Sequence, residues 1–124
     1  MGMKFSSDHV WIEHNENEGT TRIGITEHAQ DALGDIVFVE FPEIGKSFKA
    51  GEAAAVIESV KAAADVYSPA SVQVLKINPA LKDDPSLANS DPLKTGWLLE
   101  VKLLQASELD ALMDTDTYQT FSKS

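Results

Sequence analysis

Short runs of β-branched and aromatic residues recur along this chain, and glycine, proline or a polar cluster breaks each one before it grows long. Val10 to Glu13 and Thr20 to Ile25 are two such runs, and the polar stretch Asn15-Glu16-Asn17-Glu18-Gly19 between them spells a hairpin with a loose turn. Ile36 to Phe41 is a third run, ended by Pro42 to Gly45. Val72 to Ile77 and Trp97 to Leu104 follow. Ala54 to Ile57 and Asp65 to Tyr67 flank Glu58-Ser59-Val60-Lys61-Ala62-Ala63-Ala64. Alanine disfavours strands, so propensity alone makes that segment a helix; its place between two β-rich runs makes it a hairpin instead.

Helical signals are few: one early short helix and helices at the C-terminus. Thr26 caps a short helix over Glu27 to Leu33, with Ala29, Ala32 and Leu33 on one face and Gly34 closing it. Asn78 to Pro92 is polar and holds three prolines, which predicts a loop with at most one helical turn. Ser107 and Asp110 form a capping-box pattern followed by Leu109, Leu112 and Met113 at helical spacing. Asp114 caps a last helix bearing Tyr118 and Phe121. Many short strands with helices at the margins predict a mostly β sandwich or barrel with helices packed outside. The chain has 124 residues and no linker or low-complexity segment, so residues 1–124 read as one domain.

Several kinds of chemistry lose support. Ten basic residues face twenty acidic ones, for a formal net charge of -10, which disfavours nucleic acid and anionic membrane as partners and suits docking onto basic protein surfaces. The absence of cysteine rules out a disulfide scaffold, a thiolate metal site and a Cys nucleophile, and fits a reducing compartment. No apolar run reaches membrane-spanning length, the start lacks a secretory apolar region, and the loose myristoylation pattern at Met1-Gly2 equally fits a cloning remnant. There is no glycine-rich phosphate loop and no Gly-x-Ser-x-Gly elbow. His9 and His14 are five apart, so a continuous strand points them to opposite faces and argues against a shared metal. A Ser59–Lys61 dyad and a paired-carboxylate hydrolase rest on nothing beyond spacing and abundance. Lys61 stands out because it falls at a hairpin tip among Ser59, Ala62, Ala63 and Ala64, where an enzyme can reach its amine and an attached group can swing; most lysines in turns are merely solvated.

At this segment the chain resembles a known family. Glu58-Ser59-Val60-Lys61-Ala62-Ala63 and Asp65-Val66-Tyr67-Ser68-Pro69 are similar to the lipoylation region of glycine cleavage H proteins. The likeness runs from His9 to about Phe121 through Gly24-Ile25-Thr26-Glu27-His28-Ala29-Gln30, Leu33 to Val39, Pro42 with Gly45, Asn89 to Pro92, Gly96-Trp97-Leu98, Ser107-Glu108-Leu109 and Tyr118.

The resemblance implies a lipoyl-domain-like barrel-sandwich hybrid: two antiparallel sheets, short helices including C-terminal ones, and the lipoyl lysine at a hairpin turn. It implies lipoate joined by an amide to Lys61, with Glu58 and Asp65 as candidates for ligase recognition and for lining the arm's resting groove; both acids equally serve to keep a hairpin wet. It further implies a non-catalytic, monomeric carrier in the bacterial cytoplasm or the mitochondrial matrix. Its partners would be glycine decarboxylase (the P protein), a tetrahydrofolate-dependent aminomethyltransferase (T), dihydrolipoyl dehydrogenase (L) and a lipoate ligase or lipoyl transferase. A cysteine-free carrier suits this role, because a dithiol arm exchanges with protein disulfides. The rival readings are a lipoyl or biotinyl domain of another multi-enzyme complex, a carrier that relays lipoyl groups to other proteins, and an unmodified acidic adaptor or an enzyme with a cryptic site. Two positions depart from the family. Val72 stands where a glycine is usual, which predicts negative φ here, since a β-branched residue at positive φ is an outlier. Val10 stands where a Glu implicated in holding the loaded arm is usual. Valine offers the amine no acceptor, so faster loss of ammonia and formaldehyde from loaded carrier is expected unless another carboxylate, such as Asp65, compensates.

Overall fold

The structure is a computed structural model, and it describes residues 3–15 and 19–123. Among the described residues, nine strands are interspersed with short helices: β1 (Met3–Phe5), β2 (Val10–Asn15), β3 (Thr20–Ile25), α1 (Glu27–Leu33), β4 (Ile36–Glu40), β5 (Ser47–Phe48), β6 (Ala53–Ser59), β7 (Ala63–Tyr67), β8 (Val72–Ile77), α2 (Pro79–Asp83), α3 (Leu87–Ser90), β9 (Leu99–Leu103) and α4 (Thr115–Lys123). A 3₁₀ helix, Ala106–Ala111, precedes α4. The Met1-Gly2 start and the turn residues Glu16-Asn17-Glu18 lie outside the described residues.

Two antiparallel sheets form, as the resemblance implies. The larger runs β1-β2-β3-β9-β8-β5 and the smaller β4-β6-β7. Alternation dictates which side chains meet between them. Ile12, Ile23, Val72, Val74, Leu99 and Val101 of the large sheet join Ile36, Val39, Ile57 and Val66 of the small sheet in one core. Each fully buried aliphatic side chain there contributes about 1.5–3 kcal/mol. A second cluster, Phe5, Trp11 and Tyr118, sits apart from the first. Trp11 pairs with Gly24, where a Cβ would stand 2.6 Å from the indole, so only glycine leaves that ring its place.

The Thr26 cap is present: its hydroxyl accepts from the Ala29 amide, and Gly34 ends the helix at φ 77°. Val72 is fully buried opposite Leu103 and does not adopt positive φ, in agreement with the sequence reading.

Four expectations need correction, and two strands were not expected. Asn78 to Pro92 holds two helices: Asn78 accepts from the Ala80 amide with Pro79 in the first turn of α2, a capping signal that proline content masked. Ser107 and Asp110 do not form a capping box, because the segment is a 3₁₀ helix entered at Gln105, and Glu108 accepts instead from the amide and hydroxyl of Ser71 at 2.8 and 3.1 Å. Ala32 is exposed; the inward line of α1 runs through Ala29, Gln30 and Leu33 because Asn89 of α3 bonds Gln30. Strands β1 and β5 are too short to carry a periodic signal and exist through pairing with β2 and β8. His9 precedes the strand and has φ 65°, so strand alternation does not govern its direction.

Candidate functional site

The hairpin joining β6 and β7 holds Lys61 at its tip, and the tip is shaped locally. The Ser59 amide donates to the Ala62 carbonyl at 2.8 Å, closing the turn. The Ser59 hydroxyl donates to the same carbonyl at 3.0 Å and accepts from the amides of Lys61 and Ala62 at 3.2 Å each. One donor and two acceptor sites exhaust a serine hydroxyl. Ser59 is therefore spent on the turn, and the Ser59–Lys61 dyad has no geometric support. Ala62 and Ala63 are exposed and add no bulk beside the lysine.

The rest of the fold fixes the base of this tip. The Val60 amide donates to the Asp35 carbonyl at 3.0 Å, tying the turn to the link between α1 and β4. Asn89 holds that link through every side-chain group it has. Its oxygen accepts from the Ile36 amide at 2.9 Å, and its nitrogen donates to the Gly34 carbonyl at 2.8 Å and to the Gln30 amide oxygen at 2.9 Å. Gly34 lies under the lysine stem: a Cβ there would stand 3.4 Å from Lys61 Cε. The stem thus passes over a position that carries no side chain. Lys61 is exposed and, among the described residues, has no salt-bridge partner.

Glu58 is half-buried on β6, opposite Phe38 and Ala63; Asp65 is exposed on β7, opposite Val56. Residues directly opposite share a face, and so do residues two apart on one strand, so Glu58 and Asp65 lie on the same outward face as diagonal neighbours. Val10 is buried in the main core opposite Ile25 and presents no acceptor. Sequence reasoning missed Gly34, Asp35 and Asn89 as supports of the tip. All three stood in the quoted motifs, but their link to residue 61 is made across the fold.

Another concentration of polar and titratable groups lies around Tyr118. Its hydroxyl is 2.7 Å from both His9 Nδ1 and Thr26 Oγ1. The ring stacks on Phe5 at 4.5 Å, while His9 stacks on His28 at 4.2 Å. Burial first, and then the neighbouring His28, lowers the His9 pKa, with Asp8 opposing; burial raises that of Tyr118. His14 instead meets the Thr21 hydroxyl at 2.8 Å, and no group of three metal-ligating side chains occurs among the described residues. The cluster joins the N-terminal loop, the start of α1 and α4, and it has the character of a structural clasp.

Comparison with known proteins agrees with this geometry. Residues 3–124 match the profile of the family described as glycine cleavage H-protein. The glycine cleavage system H protein of Escherichia coli O139:H28 is 48% identical over 118 residues, covering 95% of this chain and 91% of the relative. That of Shewanella frigidimarina is 51% identical over 117 residues, covering 94% and 90%. A crystal structure of a glycine cleavage system H protein from Mycobacterium marinum superposes with a TM-score of 0.87 at 35% identity, covering 98% of this chain and 97% of that one.

Proposed function

The chain belongs to the glycine cleavage H-protein family, and on that premise we propose that Lys61 is the residue through which it acts as a lipoyl-carrying shuttle in glycine cleavage. The observation that carries the assignment is the turn itself: a lysine held out by Ser59, anchored through Asp35, with its stem over a glycine. These residues fit an amide-linked lipoyl group. A side chain at position 34 would meet the lysine stem, and the exposed amine is open to an acylating enzyme. When bound, lipoate supplies a disulfide that accepts an aminomethyl group and two electrons.

The chain's own contribution is presentation. The rigid hairpin sets where the arm begins, and the absence of cysteine leaves no protein thiol to attack the arm's disulfide. Glu58 and Asp65, on one outward face, are positioned for recognition by the acylating enzyme and for contact with the arm. The cargo enzymes would be glycine decarboxylase, aminomethyltransferase and dihydrolipoyl dehydrogenase. An acidic surface suits brief, electrostatically steered encounters with each in turn. In this reading the chain is one carrier domain, a monomer with no chemistry of its own, working in bacterial cytoplasm or, in a eukaryote, the mitochondrial matrix. No helix among the described residues is long and apolar enough to cross a membrane.

Intact mass after incubation with lipoate, ATP and a lipoate ligase tests the assignment. One lipoyl adduct is expected, mapped to Lys61, with the formal charge moving from -10 by one unit as an ammonium becomes an amide. Lys61→Arg keeps the charge and should gain no mass. A lipoyl adduct on that variant would sink the assignment.

A further inference from the structure

Three exposed apolar side chains gather at the Lys61 end of the small sheet. Val37 and Phe38 of β4 are 55% and 54% exposed, and Val60, next to the lysine, is 65% exposed. Backbone pairing brings them together: Phe38 sits opposite Glu58, Ile36 opposite Ser59, and the Val60 amide reaches Asp35. A bulge between Ile36 and Phe38 turns both Val37 and Phe38 to solvent, where strict alternation would bury one of them. Phe38 also walls a concavity of about 540 Å³ with Phe41, Pro42, Ile77 and Leu81. Acids surround this patch on the same outward face: Glu58, Glu40 two residues beyond Phe38, and Asp65 on the neighbouring strand. Lys82 is the one base lining the concavity.

We propose that this acid-rimmed apolar patch, centred on Phe38 with Val37 and Val60, is the surface by which the enzyme that acylates Lys61 docks. The proposal rests on Lys61 being the attachment residue and identifies what its modifier reads. Lys61 is one of nine lysines. Before acylation no arm exists, so the enzyme must tell this lysine from the other eight by the protein around it. Charge complementarity defines the partner: an apolar contact rimmed by Lys and Arg, steered in by the acids and held by burial of Phe38.

The test uses the full-length unmodified protein with lipoate, ATP and a lipoate ligase, following initial acylation rates by intact mass. Phe38→Ser should raise KM about tenfold with kcat within about twofold, as loss of one apolar anchor does. Ile44→Ser removes another exposed apolar side chain (64% exposed) from a position outside the patch and should leave both constants unchanged. Glu40→Gln should lower kcat/KM about twofold at low salt and not at high salt, the mark of a rim charge. Unfolding temperatures and circular dichroism check that each variant keeps the fold. Unchanged kcat/KM for Phe38→Ser overturns the docking proposal while leaving the Lys61 assignment intact. So does equal loss in Phe38→Ser and Ile44→Ser, or a wild-type dimer in light scattering that Phe38→Ser dissolves, which would give the patch to a second copy. Failure of the wild type to gain lipoyl mass at Lys61 would overturn the attachment reading, and this proposal with it.

Discussion

The Lys61 hairpin and the Tyr118 clasp are built on opposite plans. The hairpin tip closes on itself through contacts from Ser59 that span two or three residues, and it leaves Val60, Lys61 and Ala62 in solvent. The clasp joins residues 109 and 92 positions apart, His9 and Thr26 to Tyr118, and buries the ring they share. A carrier must expose one group on a rigid stem, and a short local turn does this with little burial. Keeping the C-terminal helix in place takes burial and long-range bonds. Stability and presentation are thus separated in space, and changes that unbalance them should act on one and spare the other.

Tyr118→Ala should have the largest effect on stability. It removes a buried ring stacked on Phe5 and strips both hydroxyl partners, so a loss of about 3–5 kcal/mol is expected in denaturant unfolding. Lipoylation of Lys61, measured where the variant is still folded, should stay within about twofold of wild type. A parallel fall in both would show that the regions are coupled and that the comparison fails.

Asn89→Ala sharpens the comparison because Asn89 serves the base of the hairpin from outside it. Three hydrogen bonds to the segment beneath Lys61 disappear, and a stability loss of about 2 kcal/mol is expected. Here lipoylation efficiency should fall with stability. Asn89→Asp keeps the acceptor for Ile36 and should recover part of both. If Asn89→Ala acylates at the wild-type rate, the turn needs no support beyond Ser59.

The smallest effect is expected from acid. The fold favours neutral His9, chiefly by burying it and then through His28. Below the ordinary imidazole value of 6.5 the unfolded chain therefore binds more protons than the folded one, and stability falls as pH drops from there; above it the contribution is complete. His9→Asn removes the titration while tolerating the backbone at φ 65°, so its stability should change less between pH 7 and pH 5 than that of the wild type. The slope of lipoylation with pH should be the same in both proteins. An identical stability slope would remove His9 from the acid response.

Much of the fold was legible because its signals are local. The runs at Thr20 to Ile25 and Val72 to Ile77 became β3 and β8 with the bounds their residues suggested, and Thr26 and Gly34 marked the ends of α1. The helices within Asn78 to Pro92 went unread because proline content outweighed the Asn78-Pro79 start signal. The Ser107 pattern misled because the segment folds as a 3₁₀ helix entered two residues earlier, at Gln105.

The sequence by itself determined the two kinds of element, the lysine between two strand-forming runs and the acidic, cysteine-free surface, because each depends on neighbours a few positions apart. Only the tertiary structure decided what lies beneath and beside that lysine. Gly34 lies beneath its stem, Asn89 holds the link from α1 to β4, and a bulge in β4 turns Val37 and Phe38 outward together. Those relations are set by pairing and contact with residues far along the chain, and they appear only once the sheets have packed and buried backbone groups have found partners.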